Sequence, residues 1–170
     1  DVLDQSLNTG MVFVQQKMGN ELFKKYMLSY QIGERTGIDL PNETQGLISN
    51  LQKGGDVASA NAAFGQGIAL TPIEAVRAFT ALANDGKMVT PHIASSIVLS
   101  TGITKEIEVP APVQVLSPEA TATIATMMTH IVDKAMGGGI HKMEHYTIAG
   151  KTGTAQIAKE SGGGYYSNKY

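Results

Sequence analysis

Tyr146-Thr147-Ile148-Ala149-Gly150-Lys151-Thr152-Gly153-Thr154-Ala155-Gln156-Ile157 reads as a short strand. Its β-branched and small residues suit a pleated chain, and its glycines mark places where something must approach the backbone closely. Lys151, Thr152, Gly153 and Thr154 put an ammonium, two hydroxyls and a bare glycine on that strand. Such a set suits a carboxylate-bearing acyl substrate: lysine and threonines hold the anion, and Gly153 leaves room beside it. Gly150-Lys151-Thr152 is also the ending of a phosphate-binding loop, Gly-x-x-x-x-Gly-Lys-[Ser/Thr]. That pattern needs a glycine five places before Gly150, where His145 stands, and a helix afterwards, where Thr154–Ile157 continues like a strand. The phosphate-loop reading is rejected.

A length of 170 residues fits one domain or part of a larger one. The absence of cysteine excludes a disulfide framework and a thiolate metal site and is compatible with an oxidising compartment. A formal charge of −2 gives no reason to expect nucleic acid or an acidic membrane surface as a partner. Charged residues make up 16% of the chain, against roughly 25% in ordinary globular domains. That shortfall predicts surface meant for burial against something else. No apolar run is long enough to cross a membrane, and no signal peptide is expected within these residues.

Outward from the strand, the pattern alternates helices and short strands. Met11, Val14 and Met18 fall at helical spacing, with Gly19 as the stop. Asn20 is placed as the cap of a second helix, Glu21 to about Tyr30, with Leu22, Phe23, Tyr26 and Met27 as its apolar stripe. Gly33 to Asn61 reads as one long loop. Thr71-Pro72-Ile73-Glu74 spells a capping box, opening a helix that runs to Asn84 and stops at Gly86. Ala94–Leu99 and Ile103–Val109 predict a hairpin turning at Ser100-Thr101-Gly102. Ser117-Pro118-Glu119 opens another helix, carrying Ile124, Met127, Met128 and Ile131 to the core and halted by Gly137-Gly138-Gly139. Glu160 to Gly164 is expected to turn the chain after the last strand.

Three motifs have bland readings that are preferred. His141-Lys142-Met143-Glu144-His145 matches a zinc-peptidase pattern that requires one helical face, but three glycines precede it and a strand is expected after it; a solvated turn is expected. His92 and His130 have no partner at metal spacing and are taken as structural, and Met127, Met128 and Met136 as core filler. Gly65-Gln66-Gly67 is read as a close-packed turn rather than a phosphate cradle.

Four stretches, in this order, carry a family likeness: Ser6-Leu7-Asn8-Thr9-Gly10, Thr36 to Glu43, Phe64 to Pro72 with Ala81 to Gly86, and Ile148 to Gln156. Together they resemble the transpeptidase domain of class B penicillin-binding proteins, over nearly the whole chain. The resemblance implies an α+β fold, a β-lactamase-like domain with helices packed on a mainly antiparallel sheet. It implies a parent protein that is a serine D,D-transpeptidase cross-linking peptidoglycan stem peptides and binding β-lactams covalently, with no cofactor. Ser6 would shuttle a proton, Asn8 would bind the acyl-side amide, and Lys151 would support the electrostatics near Ser6. Thr152, Gly153 and Thr154 would receive the substrate carboxylate, with the Thr154 N–H as half of an oxyanion hole. The parent would be anchored in the bacterial cytoplasmic membrane by a segment outside this sequence, acting on its outer side beside other cell-wall synthesis proteins.

Two departures qualify the likeness. No Ser-x-x-Lys occurs anywhere in the chain, so the nucleophile, its lysine base and the other oxyanion donor are missing. Residues 1–170 are accordingly expected to be a piece of one transpeptidase domain, lacking the Ser-x-x-Lys region upstream and the final strands and helix downstream, and inactive alone. Leu7 stands where serine or aspartate is common in the family. Rival readings keep the same pocket for other ends: a D,D-carboxypeptidase or β-lactamase delivering the acyl group to water, or a penicillin sensor or scaffold without turnover. A piece of this kind would also bind the missing parts of its own domain.

Overall fold

Thr71 caps its helix as the sequence requires. Its hydroxyl accepts from the Glu74 N–H, the Glu74 carboxylate accepts from the Thr71 N–H, and Pro72 takes the first helical position. In the computed structural model, which describes residues 1–159, 162 and 164–170, the elements run in chain order. The helices are α1 (Asn8–Met18), α2 (Asn20–Ser29), α3 (Ser49–Lys53), α4 (Asp56–Ala63) and α5 (Pro72–Ala83). The strands β1 (Lys87–Met88), β2 (Ser96–Val98), β3 (Thr104–Glu106) and β4 (Val113–Gln114) follow, then α6 (Pro118–His130). A π-helical turn, Ile131–Ala135, and a 3-10 turn, Met136–Gly139, continue α6, and Gly137 and Gly138 leave helical geometry where the stop was expected.

The chain divides into two units. The first gathers Asp1–Lys24, Ser49–Ile68 and Thr126–Tyr170; the second holds Lys25–Ile48 and Ala69–Ala125. In the first, α1 packs on α4 and α3 on α4, and Leu51 of α3, Ala62 of α4, Ile131 and Val132 are buried. Gln15, the buried residue of α1, donates to Asn20, which donates in turn to Asp56 at the start of α4.

The second unit is organised by charge placed inside it. Glu74 is 2% exposed, and its carboxylate accepts N–H groups from Gly33, Gly46 and Thr71 at 3.0, 3.0 and 2.6 Å. Burial works against that charge, but the converging hydrogen bonds win and hold the carboxyl below its ordinary range. One turn on, buried Arg77 donates to the carbonyls of Gln31, Glu34 and Arg35. The loop from Thr36 to Glu43 closes on itself, Glu43 accepting from the Thr36 N–H, the Thr36 hydroxyl and the Gly37 N–H. Asp39 accepts from the Ile93 and Ala94 N–H groups, which hold its carboxyl low. The strands form two antiparallel pairs. One is the expected hairpin, with Ile97 opposite Lys105; the other joins Lys87–Met88 to Val113–Gln114 and packs on α5.

The architecture is therefore α+β, with helices and two antiparallel two-stranded ribbons among the described residues. Several local expectations are corrected. The Gly33–Asn61 segment is not one loop, because α3 and the greater part of α4 lie in it. The small residues of α4 carry little apolar pattern, and packing of α4 against α1, with α3 packed on α4, stabilises what propensity alone does not. Asn20 is the first residue of α2 rather than its cap, and the expected stripe is not buried: Leu22 and Tyr26 are exposed. In α6 the face reaches the core only at its end, through Ile131, while Met127 is 45% exposed.

Tyr146–Ile157 itself does not form a strand. Strand formation needs a neighbouring chain to complete the ladder. Across 147–156 the described backbone supplies one such bond, from the Gly150 N–H to the Met128 carbonyl at 3.3 Å. Pairing begins later, where Ala158 bridges Tyr165 and Ile157 bonds Tyr166 and Lys169. The turn expected over Glu160–Gly164 falls largely on Glu160, Ser161 and Gly163, which lie outside the described residues.

Candidate active site

All six candidate residues belong to the first unit. Ser6 closes a tight turn in which the N–H groups of Gln5, Ser6 and Leu7 donate to Asp1, Leu3 and Val2. Its φ of 52° is the left-handed region, an uncommon conformation for a residue with a Cβ. Leu7 is the N-cap of α1 with no side-chain capping bond, and Asn8 is the first helical residue. Ser6 and Asn8 are both exposed, at the end of a helix whose free N–H groups favour acceptors and negative charge.

Lys151 follows the point where the chain touches α6. Gly150 donates to Met128, and a Cβ on Gly150 would stand 3.2 Å from the Val132 side chain, so this contact suits glycine. Lys151 is half-buried, its ammonium donating to the Thr152 carbonyl at 2.8 Å and lying 3.4 Å from the Thr152 hydroxyl. Thr152, Gly153 and Thr154 are exposed. Among the described residues, no hydrogen bond ties Ser6 or Asn8 to Lys151. The two segments share a support rather than a hydrogen bond.

That support includes a residue read from sequence as merely structural. Nδ1 of His130, the last residue of α6, lies 3.5 Å from Oδ1 of Asp4, two residues before Ser6. The Asp1 ammonium lies 3.4 Å from the other Asp4 oxygen. Burial raises the Asp4 carboxyl, but bonding to His130 and to that ammonium outweighs it and holds the carboxyl low. Other readings fare as follows. His141–His145 is exposed and non-helical, so its histidines do not share a helical face. His92 is exposed, its Nδ1 3.4 Å from the Thr90 carbonyl. Gly65-Gln66-Gly67 is a hydrogen-bonded turn, with Gln66 donating to Asn61 and Asn50 to the Gly67 carbonyl, but Gly65 is exposed with open space beside it rather than close-packed. Sequence reading missed Glu43, Asp39 and Arg77. The first two were legible as carboxylates in the Thr36–Glu43 loop, where they take up backbone N–H groups; Arg77 carried no such signal.

A family model described as the penicillin binding protein transpeptidase domain matches residues 1–170. The chain belongs to this family. Stage V sporulation protein D of Bacillus subtilis is 35% identical, over 100% of the chain and 26% of that protein. Penicillin-binding protein PbpB of Mycolicibacterium smegmatis is 33% identical, over 99% of the chain and 27% of that protein. Among solved structures, penicillin binding protein 3 of Mycobacterium tuberculosis complexed with aztreonam matches with a TM-score of 0.88 and 30% identity, covering 98% of this chain and 39% of that one. The chain thus spans about a quarter of the length of these penicillin-binding relatives. The α+β architecture of the transpeptidase family accounts for the helical majority with small antiparallel ribbons seen here.

Proposed function

We propose that this chain supplies the Ser-x-Asn and Lys-Thr-Gly half of the active site of a serine D,D-transpeptidase that cross-links peptidoglycan stem peptides. The observation that carries the reading is the attachment of both motif segments to the same end of α6, Asp4 through His130 and Gly150 through Met128 and Val132. In the reaction a serine outside these residues attacks the donor carbonyl, and an amine of a second stem peptide then receives the acyl group. Ser6 passes the proton between nucleophile and amine, Asn8 holds the acyl-side amide, and Lys151 lends positive potential. Thr152, Gly153 and Thr154 receive the terminal carboxylate, which β-lactams imitate, and the Thr154 N–H faces the developing oxyanion. One such donor is worth about 3–4 kcal/mol in related acyl transfer.

The same reading places the parent protein on the outer side of the cytoplasmic membrane, held by a segment outside this sequence and working with other cell-wall synthesis proteins. No helix among the described residues is long and apolar enough to cross a membrane. The 170 residues alone carry no Ser-x-x-Lys and are expected to be inactive, docking instead on the remaining parts of their own domain.

Intact-mass spectrometry after penicillin treatment tests this on two proteins, the chain itself and a version extended at both ends to the full domain. The expected result is one penicilloyl adduct on the extended protein and none on the chain. An adduct on the chain would reveal a nucleophile within it and refute the half-site. No adduct on either would refute acyl-enzyme chemistry.

A further inference from the structure

We infer that Asp4 and His130 form a positioning clamp that registers the Ser6–Asn8 segment against the Lys151–Thr154 segment. This rests on the proposed transpeptidase site and adds two residues to it. The geometry points there because three alternate positions around the end of α6 hold the two segments. The Met128 carbonyl takes the Gly150 N–H, the His130 ring faces Asp4, and the Val132 side chain lies against Gly150. Lys151 is therefore one residue from a point fixed by α6, and Ser6 is two residues from another.

Packing does not supply this registration by itself. A cavity of about 510 Å³ lies between the turn Asp1–Asp4 and Thr126, Met127 and His130. Asp4 and His130 are both among its lining residues. In the extended protein the Asp1 amine becomes a peptide N–H, leaving the His130 ring as the side-chain partner of Asp4. Both side chains are partly open to solvent, and a pair of that kind adds little to folding stability. Its effect is on where Ser6 stands, and acyl transfer is sensitive to placement: a displacement near 1 Å costs up to about a hundredfold in rate.

The test uses the extended domain and four variants: Asp4→Asn, His130→Leu, the double variant, and His130→Asn, whose amide nitrogen stands near the position of Nδ1. Acylation by a fluorescent penicillin is resolved into reversible binding and the acylation step, with thermal midpoints measured alongside. The clamp predicts that Asp4→Asn and His130→Leu slow the acylation step severalfold, up to about fivefold, with binding and midpoint unchanged. The double variant should be no slower than the worse single, and His130→Asn should recover most of the rate. Amide exchange at Gln5, Ser6 and Leu7 should quicken in His130→Leu and not in His130→Asn. This reads the clamp without any chemistry, so a wild-type domain that fails to acylate sinks the transpeptidase reading separately. Unchanged acylation and exchange would overturn the clamp. So would losses that are additive in the double variant and track the thermal midpoint.

Discussion

Glu74→Ala removes the acceptor on which three parts of the second unit converge. The Gly33, Gly46 and Thr71 N–H groups all end on this one carboxylate, at a position 2% exposed. A buried donor left without a partner costs about 1–3 kcal/mol. Three such donors, with water recovering part of the loss, amount to roughly 3–6 kcal/mol, a large share of the ~5–15 kcal/mol that holds a domain together. Glu74→Gln keeps the shape but loses the charge and turns one acceptor into a donor; about 1.5–3 kcal/mol is expected. Urea unfolding followed by circular dichroism measures both. The acid limb gives a second reading. Folding holds the Glu74 carboxyl below its ordinary range, so its contribution is complete above the unfolded pKa, about 4.3, and is lost as pH falls through the lower folded value. Glu74→Gln should flatten that loss below about pH 4.3. A Glu74→Gln variant within about 0.5 kcal/mol of wild type, with an unaltered acid limb, would refute the buried hub.

Leu7 occupies an N-cap without a capping bond, so Leu7→Asp should stabilise α1 by about 1 kcal/mol, read as a raised urea midpoint. Leu51→Ala, at 1% exposure, should cost about 2–5 kcal/mol in the same assay. Gly86 has φ 82°, and a Cβ there would meet the Leu116 carbonyl oxygen at 2.0 Å. Gly86→Ala should therefore cost more than the ~1–2 kcal/mol of a left-handed residue alone, visible as a lowered midpoint or loss of soluble protein. In the extended domain, Lys151→Ala should slow penicillin acylation about a hundredfold or more while leaving the thermal midpoint in place, measured by stopped-flow fluorescence.

Local chemistry was legible where it needed no distant partner. Thr71-Pro72-Ile73-Glu74 names its own hydrogen bonds, and Ser100-Thr101-Gly102 closes its own hairpin, so both matched the folded chain. Elements stabilised by remote contacts were not legible. Helix α4 depends on α1, and Lys87–Met88 pairs with Val113–Gln114, a partner beyond the intervening hairpin that no periodicity announces. Thr147–Gln156 shows the converse: strand-forming residues form no ladder where none of the described backbone reaches them as a neighbouring strand. At the site, the family likeness nominated Ser6, Asn8 and Lys151–Thr154, whereas the folded chain adds their attachment to α6. His130 lacked a partner by spacing because Asp4 lies at the opposite end of the sequence.

The three-piece composition of the first unit has a consequence for biogenesis. Its opening piece ends at Lys24 and its closing piece starts at Thr126. At ribosomal speeds of about 5–20 residues per second, roughly 5–20 s separate the two on the nascent chain. Through that interval the helix end that receives Asp4 is still unmade. Ser6 and Asn8 are thus translated well before the helix end that receives the neighbouring Asp4.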